Sequence, residues 1–262
     1  MMKDFPSLDT AVTRWGRLPF ASYPDFCFYD NLNDMINEYI GIIKNQGYNE
    51  SVFICQSNQL ANRISQEVRQ QLNFNSILHP GDLLMVQQNQ FTTGLMNGDM
   101  VEVVSCTPTR TKTIKYNDFK GYRSELLFRE ITVKELFTQK TYTTLTIETI
   151  LTSGNNNLDS YQQTGLFLDF VLRMKSQNIT QKKTPELFYE KMKDDPFLNA
   201  MRCSYGYAVT CHKAQGGEWN KVFVAFCRRN NLLNPTKEIY QWIYTAITRA
   251  KQKVGFINDF YF

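Results

Sequence analysis

The sequence predicts an α/β fold in which a parallel sheet, built from both ends of the chain, carries an inserted antiparallel β module. Three observations predict it. Short apolar runs bounded by polar residues stand near both ends, SVFIC at 51–55 and VFVAF at 222–226, the pattern of strands buried on both faces. The first run leads directly into an amphipathic helix, which makes half of a βαβ unit. Between them the texture changes to β-branched stretches separated by short polar turns.

The elements follow in order. The first 50 residues are rich in aromatics, with turn signals at 18–20 and 23–25, and a helix is expected over 31–44. After the strand at 51–55, Leu60, Ala61, Ile64, Val68 and Leu72 fall within roughly a 120° arc of a helix and make a core-facing stripe. Asn58, Asn62, Arg63, Gln66 and Arg69 take the polar face. GDLLMVQ (81–87) and MVEVV (100–104) read as strands, and Asn97-Gly98-Asp99 between them carries a hairpin signal because both Asn and Gly tolerate positive φ. Further strands are expected at 126–133 and 141–150, a loop at 153–159, and helices at 160–174 and 185–193, the latter opened by Pro185. The α/β texture then returns, with strands at 206–210 and 222–226, a tight turn or short helix at 211–217, a helix over 238–251 and a last strand at 254–257.

Composition narrows the function classes. A chain of 262 residues with 42% apolar and 14% aromatic residues builds a substantial core, and is neither disordered, collagen-like nor a coiled coil. No apolar run approaches the roughly 18 residues of a membrane span and the N-terminus lacks a secretory core, so a cytoplasmic protein with no membrane partner is expected. The net charge of +4 announces no nucleic-acid binder by itself. Cys27, Cys55, Cys106, Cys203, Cys211 and Cys227 form no CxxC pair, and His79 and His212 are the two histidines, which argues for scattered reduced thiols rather than a zinc site. The chain contains neither GxGxxG nor the GxxxxGK(S/T) loop that cradles nucleotide phosphates.

Two segments carry chemistry. YAVTCHKAQGGEW (207–219) gathers Thr210, His212, Lys213, Gln215, Gly216, Gly217 and Glu218 just beyond a buried strand, and open α/β sheets hold ligands at the carboxyl ends of their strands. A hydroxyl, a lysine and backbone amides can hold phosphate oxygens, and the glycine pair lets the backbone approach closely. Glu218 cannot favourably face phosphate but can accept hydrogen bonds from a ribose hydroxyl. The plainer alternative is a surface turn whose glycines serve geometry. In QWIYTAITRAKQK (241–253), Trp242, Ile243, Ala246, Ile247 and Ala250 cluster on one side of a helix. Gln241, Thr245, Thr248, Arg249 and Gln252 lie opposite. A planar guanidinium on that face suits phosphate or transition-state charge; the alternative for Arg249 is an exposed or salt-bridged arginine.

These segments, TCHKAQGGEW (210–219) and YTAITRA (244–250), resemble motifs V and VI of superfamily 1 helicases, especially the RecD-like and TraI-like branch. CQSNQLANRISQEVR (55–69) and GDLLMVQQN with its following NGD (81–89, 97–99) resemble the same branch, in the same order. Together they span 52–257. The resemblance implies that 1–78 and 204–262 form the second RecA-like (P-loop NTPase-type) motor domain. Residues 79–203 would be an inserted Src-homology-type β-barrel with a helical extension.

By that resemblance Arg249 is the arginine finger, Glu218 accepts a ribose hydroxyl, and Gln215 and Gly216 link the nucleotide cleft to the DNA track. Thr210, His212 and Lys213 would lie near single-stranded DNA phosphates, with Asn58 on the same track. The intact enzyme would be a DNA helicase or translocase of 5′→3′ direction using ATP and Mg²⁺, neither expected bound to this chain alone. The P-loop lysine, the Mg²⁺-holding acidic pair and the motif III glutamine belong to the first motor domain, which these residues do not contain. Arg14 and Arg17 sit in surroundings unlike those of the motif IV arginine. The expectation is therefore a C-terminal part of a motor that needs a P-loop domain as partner. The alternative is a nucleic-acid-binding or degenerate interaction module without ATPase activity.

Overall fold

The computed structural model describes residues 19–116, 122–154, 157–226 and 237–258. Arg14, Arg17 and Cys227 lie outside them. The chain divides into two compact units, one of 1–64 with 208–262 and one of 65–207.

Among the described residues, the first unit is built on a five-stranded sheet whose strands all pair in parallel. β1 is Phe26–Tyr29, β2 Ser51–Cys55, β9 Ala208–Thr210, β10 Trp219–Ala225 and β11 Ala250–Ile257. They lie in the order β1-β11-β10-β2-β9. Helix α1 (Leu32–Gln46) begins at Asn31, whose side chain accepts the Asp34 N–H at 3.0 Å. Its buried stripe of Met35, Ile36, Tyr39, Ile40 and Ile43 packs on the sheet. There the Tyr39 ring meets Phe53 and Phe223 edge-on, at 5.1 and 5.9 Å between centroids. Successive strand side chains point to opposite faces, so Phe226 turns the other way, against Trp242 of α6 (Lys237–Ile247) at 6.2 Å. β1 was not expected: its run FCFY alternates half-buried aromatics at a sheet edge rather than showing a continuous apolar core.

The second unit is antiparallel. β3 (Leu83–Val86), β4 (Met100–Cys106), β5 (Arg110–Tyr116), β6 (Tyr122–Glu135), β7 (Thr141–Ile147) and β8 (Cys203–Tyr205) form one sheet. The long β6 pairs with β4 and β5 along one edge and β7 along the other. The sheet curls until Met201, just before β8, bridges to Thr146 of β7; Met201 N–H donates to the Leu145 carbonyl at 2.7 Å and its carbonyl accepts from Ile147 N–H at 3.1 Å. That bridge closes a small barrel. Helices α3 (Glu148–Ser153), α4 (Ser160–Ser176) and α5 (Pro185–Asp194) extend it, and α4 seals the core of Ile114, Leu126, Phe128 and Ile147 through Leu166.

Four local expectations are corrected. The strand expected over 141–150 ends at Ile147, and Glu148 opens α3 with its buried carboxylate paired to Arg129 at 2.8 Å. The strand expected over 206–210 starts only at Ala208, as β9 of the parallel sheet, and Cys203–Tyr205 before it forms β8 of the barrel. Asn97-Gly98 does not make a two-residue hairpin but closes a longer loop over 87–99, with Gly98 N–H on the Val86 carbonyl at 2.9 Å. The helix expected through Lys251 ends at Ile247, and Ala250 already belongs to β11.

Candidate functional site

All candidate residues lie in the first unit, on connections whose ends are set by the parallel register. Thr210 is the last residue of β9 and stands opposite Cys55, the last of β2. Asn58 opens α2 (Asn58–Gln71) three residues beyond Cys55, where Ser57 Oγ accepts the Leu60 N–H at 3.2 Å. Thr210 and Asn58 therefore share the carboxyl edge of the sheet. Glu218 and Arg249 do not. Each immediately precedes a strand, β10 and β11, and Trp219 pairs with Ala250 in register. Trp219 N–H donates to the Arg249 carbonyl at 3.0 Å. The expectation that the whole 210–218 cluster stands at the carboxyl edge is thus corrected: residues 211–218 run back across the sheet, and Glu218 and Arg249 meet at the amino edge.

The crossing is a helical turn. The Thr210 carbonyl accepts from Lys213 N–H at 2.9 Å and from Ala214 N–H at 3.0 Å. Cys211 and Ala214, one turn apart, point inward and are buried, which leaves His212 and Gln215 exposed and Lys213 half-buried. Burial draws the Lys213 ammonium below its ordinary pKa. Gly216 has φ +85°, a conformation that L side chains rarely adopt, and a Cβ on Gly217 would run into the Trp219 ring. Gly217→Ala is therefore expected to displace that ring at a cost of about 1–3 kcal/mol. The check is tryptophan emission together with a thermal melt, and an unchanged spectrum and midpoint would count against the packing described.

Arg249 stands in the turn after α6 rather than on the helix. Helical bonding ends with Thr248 N–H on the Tyr244 carbonyl and a tighter bond from Arg249 N–H to Ala246 at 3.2 Å. Strand pairing with Trp219 then takes over. Of the polar arc read from the sequence, Gln241 and Thr245 remain on α6, Thr248 and Arg249 form the turn, and Gln252 belongs to β11. Arg249 Nη2 donates to Thr248 Oγ1 at 3.3 Å, while its Nε is buried without a hydrogen-bond partner among the described residues. Burial raises the Cys211 thiol pKa, and the nearby Arg249 charge opposes that shift. Glu218 is exposed and meets Lys251 at 3.9 Å, a loose pair between two solvated side chains. Lys251 was not a candidate from sequence; reading it as a strand residue beyond the Thr248–Arg249 turn would have placed it beside Glu218.

Cys27, Cys55, Cys106, Cys203 and Cys211 carry free thiols. Among the described residues no three histidine, cysteine or carboxylate side chains gather as a metal site. No helix among them is long and apolar enough to cross a membrane.

Comparison with solved structures returns Pif1 helicases. The Bacteroides Pif1 helicase in complex with ADP-AlF3 and ssDNA is 12% identical over 88% of this chain and 46% of that one, with a TM-score of 0.37. The Candida albicans Pif1 helicase is 12% identical over 87% and 50%, with a TM-score of 0.35. The chain thus spans about half the length of these structures. No curated protein matches it. Residues 205–257 match the UvrD-like helicase C-terminal domain. That stretch takes in every candidate residue except Asn58, and it is there that the chain is similar to the C-terminal part of a helicase motor.

Proposed function

We propose that the chain is the C-terminal part of an ATP-dependent superfamily 1 DNA helicase or translocase, of the RecD-like and TraI-like branch and 5′→3′ in direction. It supplies half of a nucleotide cleft and part of a single-strand track. The observation that carries this reading is the separation of the candidates to opposite edges of one sheet. Glu218 and Arg249 stand together at the amino edge, while Thr210 and Asn58 share the carboxyl edge. A motor needs such a division, because the group that senses the nucleotide and the groups that hold the strand must be distinct yet joined by a short, stiff connection. Residues 211–218 are that connection, and Gln215 and Gly216 lie within it.

In this reading Arg249 places its guanidinium on the γ-phosphate, and Glu218 gives up its loose pair with Lys251 to accept a ribose hydroxyl. Thr210, His212 and Lys213, with Asn58, hold phosphates of the single strand. The half-buried Lys213 is partly desolvated already, so less hydration is lost when a phosphate binds it. ATP phosphates and Mg²⁺ are held by a P-loop domain acting as partner; this chain contributes the arginine that neutralises charge developing during hydrolysis.

The half-site reading makes a direct prediction. Residues 1–262 with saturating oligo-dT are expected to show no Arg249-dependent ATP hydrolysis above background in a phosphate-release assay. Saturable hydrolysis that Arg249→Ala abolishes would overturn it.

A further inference from the structure

The barrel of the second unit presents three large apolar side chains to solvent at one end. Phe137 is 92% exposed, Phe91 87% and Met96 60%. Phe137 tips the β6–β7 turn, and Phe91 and Met96 stand on the 87–99 loop. The two connections meet where Leu136 N–H donates to the Met100 carbonyl at 2.9 Å.

Neither connection is loosely built. Gln90, 5% exposed, donates its amide to Thr144 Oγ1 at 2.6 Å and to the Asn199 carbonyl at 3.1 Å. It also accepts from Thr93 Oγ1 at 2.7 Å. Its backbone N–H reaches the carbonyl of buried Leu95 at 2.8 Å. Asn97 N–H is held by Asn89 Oδ1 at 2.8 Å. The β6–β7 turn is organised by Glu135, whose buried carboxylate accepts from Phe137 N–H at 2.8 Å and from Thr138 N–H. Burial alone would raise the Glu135 pKa, and these bonds outweigh it and hold the group below its ordinary value. Buried polar groups are thus spent on fixing loops whose apolar tips gain no burial in return, an arrangement that foldability does not require.

The surroundings select the ligand. Glu135 is turned inward onto backbone N–H groups, as above, and Asp99 accepts from Met96 N–H at 2.7 Å. The same two connections carry exposed amides and hydroxyls, Gln88, Asn89, Asn97 and Thr138, with the exposed Lys140 beside Thr138 in the β6–β7 turn. Exposed aromatic rings set among amides, with a cation in the same turn, suit the π-faces and polar edges of unpaired bases and their phosphates. A folded protein partner would call for a contiguous apolar patch instead.

We infer that Phe91 and Phe137, with Met96, form a base-stacking platform for single-stranded nucleic acid, apart from the candidates on the parallel sheet. The identity of the ligand rests on the motor reading above; the platform itself rests on the loops. The test is fluorescence anisotropy of the whole chain with a fluorescein-labelled dT 20-mer and with a 20-base-pair duplex as control. Phe91→Ala and Phe137→Ala are each expected to weaken dT binding roughly tenfold, about a hundredfold together, with melting temperature unchanged because both rings are solvated. The salt slope should hold in these variants and fall by about one in Lys140→Ala, since rings neutralise no phosphate.

A double ring variant that binds dT within about twofold of the parent would overturn the platform, as would a parent chain showing no saturable dT binding below about 100 µM. So would a concentration-dependent dimer, seen by sedimentation, that the ring variants dissolve without changing dT affinity. Lys213→Ala separates the two ideas. Loss of binding there but not in the ring variants keeps the track and removes the platform, and the reverse result keeps the platform and removes the track.

Discussion

Replacing Asp82 by alanine is expected to cost about 3–5 kcal/mol of folding stability, a large share of the roughly 5–15 kcal/mol a domain possesses. Asp82 is fully buried. Its carboxylate accepts from Arg69 Nε at 2.7 Å and Nη2 at 3.1 Å, from the Tyr207 hydroxyl at 3.0 Å and from His79 N–H at 2.8 Å. The Arg69 guanidinium also lies 4.3 Å from the Tyr205 ring centroid. One carboxylate therefore ties the end of α2 to the start of β3 and to the residues after β8. Alanine would leave a buried guanidinium, a hydroxyl and a backbone N–H without their acceptor, and leaving such groups unpaired costs more than the bonds themselves gain. Urea unfolding measures the loss. Removing the stranded charge as well, in Asp82→Ala/Arg69→Met, should recover part of it. A single Asp82→Ala variant within about 1 kcal/mol of the parent would contradict this account.

The same cluster shows where sequence reading stops. The apolar stripe of α2 was legible because Ala61, Ile64 and Val68 recur at helical spacing, and all three are buried. Arg69 was placed on the polar face, yet only 8% of it is exposed. Its partner sits in a turn beyond the helix, and periodicity within one element carries no record of a charge supplied by another. β2 and β10 were legible as apolar runs. β5 was not, because RTKTIKY alternates cations and threonines and buries Ile114 at an edge. At the candidate site the residue types were readable and their placement was not. The helical period continues smoothly through Thr248 and Arg249, so nothing local marks the end of α6. The stop comes from the Trp219 N–H, which captures the Arg249 carbonyl from a strand distant in the chain. Nor does local sequence disclose that β10 lies between β11 and β2, the order that sends Glu218 and Arg249 to the amino edge together.

That placement gives the prediction of largest effect for the proposed motor. Once the chain acts with its P-loop partner, Arg249→Ala should lower kcat for nucleic-acid-stimulated ATP hydrolysis by about 10³–10⁵-fold, the range an arginine finger contributes in related NTPases. Affinity for single-stranded DNA should stay within about twofold, because the strand-holding candidates Thr210 and Asn58 stand at the opposite edge. The fold should tolerate the change. The backbone at 249 is held by Ala246 and Trp219 whatever the side chain, and among the described residues the Arg249 side chain donates one hydrogen bond, to Thr248. Arg249→Lys should not restore the rate, since an ammonium cannot present a planar pair of donors to phosphate oxygens. Glu218→Gln should act on KM for ATP more than on kcat, as expected of a group that holds the ribose equally in ground and transition states. Thr210→Ala and Lys213→Ala should do the converse of Arg249→Ala, weakening DNA binding while basal hydrolysis persists. Equal loss of hydrolysis and DNA affinity in Arg249→Ala would show that the two edges do not divide the work, and the assignment of Arg249 to the nucleotide would fall with that result.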